Sequence, residues 1–169
     1  MDEGTEIFLR TLTEGVKHSG RTLFDHLVGT YALLRKQNAP EYVCLAGLFH
    51  SIYGTNIFRH PSVPINRRDL VVEMIGEPAE RLAYIFCSCG RPKALVDAVG
   101  HGPPYQVKDY RSGETTPLSG EDIYDLLLIE VANLEDQGGG TVLPLVRKAL
   151  DIVMSSILLD TSDFSLGRK

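Results

Sequence analysis

Two histidines carry most of the chemical interest in this chain. His26 and His50 stand 24 positions apart, each close to the apolar side of an expected helix. Imidazole is the commonest transition-metal ligand and the side chain that titrates nearest neutrality. The pair therefore offers a site for a divalent metal (Fe, Mn, Zn or Ni) or a set of acid–base groups. The bland alternative is two core histidines bonded to backbone or to Thr30, Ser51 or Tyr53. Glu130 is the least expected polar residue. It falls at the centre of an apolar helical stripe formed by Ile123, Leu126, Leu127, Val131 and Leu134. A carboxylate there is costly unless it is paired, hydrogen-bonded, metal-bound or protonated. Glu130 is thus a candidate general base or ligand, or the partner of a buried arginine, with Arg21 the first to consider. Asn133 and Gln137 lie at the edge of the stripe, where they would orient substrate or water. His18 is a candidate third ligand or substrate contact, and Arg21 a candidate anion binder. Ser51 and Tyr53 fall on the substrate side of the same pocket.

Other signals are weaker. Cys87-Ser88-Cys89 lacks the spacing and the second cysteine pair of a zinc site. Arg59, Arg67 and Arg68 could receive a phosphate or carboxylate, or form a solvated face. His101 starts a loop. Ser51 beside His50 is no hydrolase dyad, because adjacent helical residues face different ways. No phosphate-cradling glycine loop, dinucleotide fingerprint or nucleophile elbow is present.

The elements that must position these residues follow from periodicity. Thr5 to Lys17 reads as a first helix, broken at Ser19-Gly20. Thr22 caps a second helix to Gln37, with Leu23, Leu27, Tyr31 and Leu34 on one face and His26 at its edge. A third, apolar nearly all round, runs from Pro40 to Ile52 and ends on His50. A loop from Gly54 to Ile65 follows. Short helices are expected over Asn66–Ile75, from Pro78 to Cys89 and from Arg91-Pro92 to Val99. Tyr105 to Thr116, centred on Ser112-Gly113, reads as a small hairpin or an ordered lid over the pocket mouth. A long helix from Ser119 or Gly120 to Gln137 and a last one from Pro144 to Leu159 complete the set. The expected fold is all-α, one domain over residues 1–160 with a flexible tail over 161–169.

The stretch His18–Thr55 resembles the HD superfamily, the helical metal-dependent phosphohydrolases. His26 and His50 match its histidine spacing. His18 and Arg21, the run Gly76–Leu82, and Val131-Ala132-Asn133-Leu134 look most like the alarmone hydrolases of that superfamily. The blocks H-S-G-R-T-L and G-L-F-H-S-x-Y-G-T also resemble an uncharacterised family of small HD-like proteins, which brings no activity. The likeness implies an HD-like bundle and a four-ligand metal site. The chain departs from that pattern. His50-Ser51 replaces His-Asp, Asn133 replaces the final Asp, and Tyr53, Gly54 and Thr55 stand where an acidic pair belongs. Such a set suits a hard cation poorly, since Mg²⁺ and Mn²⁺ prefer charged oxygen ligands. The expected function is a small-molecule enzyme on a modified HD pocket, acting on a polar or phosphorylated metabolite. The alternative is a non-catalytic ligand-binding module that has lost the metal.

Composition bounds the partners. A net charge of −5 argues against nucleic acid, whose phosphates call for clustered Lys and Arg. No apolar run is long enough to span a membrane. Three cysteines form no disulfide framework, and the acidic start lacks a signal-peptide pattern. The expectation is a cytoplasmic protein with a small-molecule ligand and no membrane partner; a homo-oligomer is compatible with it.

Overall fold

The computed structural model describes the backbone of residues 1–166 and the side chains of residues 1–159. Helix α1 (Glu3–Thr13) is capped by Asp2, which accepts the Thr5 amide. Two very short strands, β1 (Lys17–His18) and β2 (Arg21–Thr22), pair antiparallel across Ser19-Gly20. Both turn residues have positive φ, +47° and +84°, as a tight hairpin turn of this hand requires. The sequence reading has α1 continuing to Lys17; the backbone instead turns back and places His18 opposite Arg21.

Helix α2 (Leu23–Lys36) starts from a complete capping box. Thr22 Oγ accepts the Asp25 amide at 3.0 Å, and Asp25 accepts the Thr22 amide. Helix α3 (Glu41–Leu48) is shorter than expected. It closes at Phe49, and His50 lies in the turns that follow it. Its Val43, Cys44, Ala46 and Leu48 are fully buried, which explains its nearly all-round apolar sequence.

A 3₁₀ turn at Ile65–Arg67 leads into α4 (Arg68–Ile75), and α5 (Glu77–Ser88) and α6 (Lys93–His101) follow. Strands β3 (Tyr105–Lys108) and β4 (Thr115–Leu118) form the second hairpin, with Tyr105 opposite Leu118 and Lys108 opposite Thr115. Its tip is tied to the end of α5, where the Tyr110 amide donates to the Ser88 carbonyl at 2.9 Å. Helix α7 (Gly120–Asp136) repeats the capping box with Ser119 and Asp122. Helix α8 (Leu143–Leu166) is the last element and runs on past Leu159, where the sequence reading ends it. It takes in residues 161–166 of the expected flexible tail, and residues 167–169 lie outside the described residues.

The architecture is mostly helical with two small hairpins, so the all-α expectation is corrected to that extent. Helices α2, α3 and α7 pack on one another, α5 covers α3, and α8 lies along α7. The core sits among them, from Leu23 and Leu27 through Phe49 and Phe86 to Leu126 and Leu127. Among the described residues no helix is long and apolar enough to cross a membrane.

Candidate functional site

His26 projects from the second turn of α2 and His50 from the turn after α3. Both are 0% exposed. Each ring has its Nδ1 occupied. His50 Nδ1 donates to the Gly47 carbonyl at 2.6 Å, and His26 Nδ1 donates to the Asp136 carboxylate at 2.5 Å. A carbonyl and a carboxylate can only accept, so the ring protons sit on Nδ1 and both Nε2 atoms are left as lone pairs. Those two atoms face each other at 3.1 Å. Asn133, on α7, adds its Oδ1 at 3.1 Å from His26 Nε2. Gln137, one turn later, donates its amide to that same oxygen at 2.8 Å, which fits the oxygen rather than the nitrogen facing the rings. Three acceptors thus meet with no proton of their own among them.

Burial dominates the electrostatics. It pushes the His26 imidazolium down to about 2, helped by His50, His18 and Arg21, while the bond to Asn133 pulls the other way. Burial, then the nearby Arg91 guanidinium, pushes His50 down to about 3. His18 stacks on the His26 ring at 4.4 Å and meets the edge of Phe58. Its Nε2 is buried without a hydrogen-bond partner among the described residues, and burial lowers its pKa as well.

Asp136 reaches His26 because Gly29, one turn on from it along α2, has no side chain. A Cβ at Gly29 would collide with the carboxylate, whose Cγ would lie only 2.8 Å away. Arg21 donates to both the side chain and the backbone carbonyl of Asp136, the latter at 3.1 Å. It is part-exposed, at the solvent edge of the cluster with Gln137.

Glu130 is fully buried, and its partner is Arg91, not Arg21. One guanidinium nitrogen donates to both carboxylate oxygens, at 3.0 and 2.9 Å. Burial raises the Glu130 pKa, and Arg91 opposes the rise. The guanidinium also lies over Phe86, whose ring meets the edge of His50. Glu130 is therefore an ion-paired side chain beside the cluster, with Asn133 Nδ2 3.5 Å from one of its oxygens.

His18, Arg21, His26, His50, Glu130, Asn133 and Gln137 are thus brought into one neighbourhood. Ser51 is buried in the turn after His50. Tyr53 points its hydroxyl elsewhere, to Glu80 at 2.8 Å. The hairpin tip lies against Tyr53 and Gly54, whose carbonyls accept from Arg111, and so it is no flap over the imidazoles. Burial raises the thiols of Cys87 and Cys89 to about 12, which keeps them protonated. Among the described residues no group of three or more His, Cys, Asp or Glu side chains is arranged to hold a metal ion. A separate acid on α7, Asp125, is raised to about 6 by burial; it accepts the Tyr42 hydroxyl at 2.7 Å.

Sequence reasoning missed Asp136, Arg91 and Gly29. Asp136 lies three residues after Asn133, a spacing that shares a helical face. Arg91 opens a helix beside Pro92 and reads as a surface cap.

A family model described as a domain of unknown function (DUF6817) matches residues 8–91. That span carries His18, Arg21, His26, His50 and Arg91, and it ends before α7, which supplies Glu130, Asn133 and Asp136. No curated protein and no solved structure matches the chain.

Proposed function

We propose that the protein is a small-molecule enzyme on a modified HD-type pocket, in which His26, His50 and Asn133 hold a divalent transition metal. The observation that carries this reading is the facing pair of lone-pair Nε2 atoms. Metal-ligating histidines commonly donate their other ring N–H to a carboxylate or a backbone carbonyl, and His26 and His50 do one each. The spacing also fits. Two donors 3.1 Å apart, each about 2.1 Å from one cation, would subtend about 95° there. Two neutral imidazoles and an amide oxygen suit Zn²⁺, Fe²⁺ or Ni²⁺ better than Mg²⁺. His18 Nε2, buried and unpartnered, is a further donor within the cluster.

Such a cation supplies Lewis acidity when bound. The protein's own residues divide the remaining work. Asp136 orients His26 and holds its proton on Nδ1. Gln137 keeps the Asn133 oxygen turned to the rings. Arg21, at the solvent edge, meets the anionic group of a polar or phosphorylated metabolite. Glu130 neutralises Arg91. Both of its oxygens are engaged, so it is a poor general base. That last observation favours a second reading, a binding module that kept the pocket without turnover, since no unpaired carboxylate stands in the cluster to take a proton.

Metal analysis of protein purified without a polyhistidine tag tests the reading. About one equivalent of Zn, Fe, Mn or Ni per chain is expected, with a rise in Tm on adding the metal to stripped protein. His26→Ala with His50→Ala should abolish both. Equal metal content in the wild type and the double variant would overturn the metal site. Turnover assays on the metal-loaded protein then separate enzyme from binding module.

A further inference from the structure

A cavity of about 590 Å³ opens between the turn after α3, the loop that follows it and the β3–β4 tip, within the size range of small-molecule sites. Tyr53, Arg59, Pro64, Ile65, Tyr110 and Arg111 are among its walls. The turn after α3 and the hairpin tip are locked to α4 and α5 by a continuous polar chain. The Tyr53 hydroxyl and Arg68 both donate to Glu80, at 2.8 and 2.6 Å. The Arg68 guanidinium lies over the Tyr84 ring at 3.9 Å, and the Tyr84 hydroxyl donates to Asp109 at 3.0 Å. Asp109 in turn accepts the backbone amides of Arg111 and Ser112. Arg111 closes the circuit onto the carbonyls of Tyr53 and Gly54. A cleft built this way costs little ordering when it fills.

Its charge is not balanced within itself. Glu80 is taken by Arg68 and Tyr53, and Asp109 by Tyr84 and the tip amides. Arg59 is exposed and has no ion pair among the described residues. Arg111 has no carboxylate partner there either and binds its two carbonyls through one nitrogen, Nη2. Two guanidinium groups thus stand uncompensated at one cleft of a chain whose net charge is −5. Between them the walls are apolar or aromatic, with Ile65 39% and Tyr110 42% exposed.

The geometry points to a second binding site, independent of the histidine cluster, for a small molecule with an aromatic body and one oxyanion, a carboxylate or a phosphate monoester. The ring seats against Tyr110, Pro64 and Ile65, and the oxyanion meets Arg59 and Arg111. Guanidinium groups are the side chains best matched to planar and tetrahedral oxyanions.

Phenyl phosphate and benzoate are the probes, each titrated into the full chain by calorimetry and followed by amide chemical shifts. Saturable binding is expected with Kd on the order of 1 mM or tighter for at least one of them. The better probe shows which oxyanion the cleft prefers, and competition between the two places them in one site. Arg59→Ala, a change at an exposed side chain, should weaken binding about tenfold, the worth of one charged hydrogen bond. Tyr110→Ala should weaken it by a smaller factor, and His50→Ala should leave it unchanged. Failure of both probes to saturate by about 10 mM would overturn the site. So would Arg59→Ala binding as well as the wild type.

Discussion

The two central histidines should remain neutral far below the pH at which histidines ordinarily titrate, and His50 is the cleaner case. Its pKa is about 3 in the folded protein, against about 6.5 in the unfolded chain. Between those values the unfolded state binds a proton that the folded state does not. Stability from His50 is therefore complete above pH 6.5 and is lost as pH falls toward 3. One proton is worth about 1.4 kcal/mol per pH unit, so His50 should cost about 2–3 kcal/mol between pH 6.5 and 4.5. His26 acts in the same direction, its pKa also being depressed, with the Asn133 bond resisting. Asp125 acts oppositely. Its pKa is raised to about 6, so its contribution is complete below pH 3.8 and lost as pH rises through about 6. Over the window from about pH 4 to 6, the two histidines add to the proton uptake on unfolding and Asp125 subtracts from it. The assay has two arms on metal-stripped protein. Nitrogen NMR of the imidazoles should show His50 protonated on Nδ1 and bare on Nε2, without titration down to pH 5. Urea unfolding from pH 7 to 4.5 should give a slope that falls by about one proton in His50→Gln. A His50 ring that titrates near pH 6.5, or one protonated on Nε2, would refute the argument from burial and the Gly47 bond.

Glu130→Gln strands the Arg91 cation in the core and should destabilise by about 3–5 kcal/mol in urea unfolding. Arg91→Met with Glu130→Leu should recover most of that, and a Glu130→Gln loss below about 1 kcal/mol would mean that the pair is not buried as described. Gly29→Ala should cost about 1–3 kcal/mol by displacing the Asp136 carboxylate, and it should shift the His26 ring signals while sparing those of His50. Alarmone and nucleotide pyrophosphohydrolase assays with Mn²⁺ should stay at background, because Ser51 and Asn133 stand where the HD resemblance expects carboxylates; efficient turnover would show that the ligands lie elsewhere.

Local signals made most of the helices legible. Thr22 with Asp25 and the Ser119–Gly120 start announce α2 and α7, and the spacing of Leu23, Leu27 and Leu34 gives the buried side of α2. The pair β1–β2 was hidden because two-residue strands are too short to show alternation. The convergence of His26, His50 and Asn133 was legible in their positions at the edges and end of apolar helices. Their partners were not. A buried carboxylate demands a cation, but nothing local says which, and Glu130 found Arg91 across the core. Asp136 follows Glu135 at a helix end and reads as solvated charge. The turn residues Ser112 and Gly113 disclosed the second hairpin, but its docking onto Gly54 depends on Arg111 and Asp109 meeting atoms from distant segments.

Gly29 also bears on how such a sequence can diverge. The notch it leaves in α2 is occupied by a side chain from α7, so positions 29 and 136 behave as one unit. Alanine at the first fits without displacing its neighbour only once the second has shortened, and that change would deprive His26 of its acceptor and Arg21 of its partner. Drift at any of these four positions should therefore come as a correlated set, ordered so that the carboxylate leaves before the notch fills.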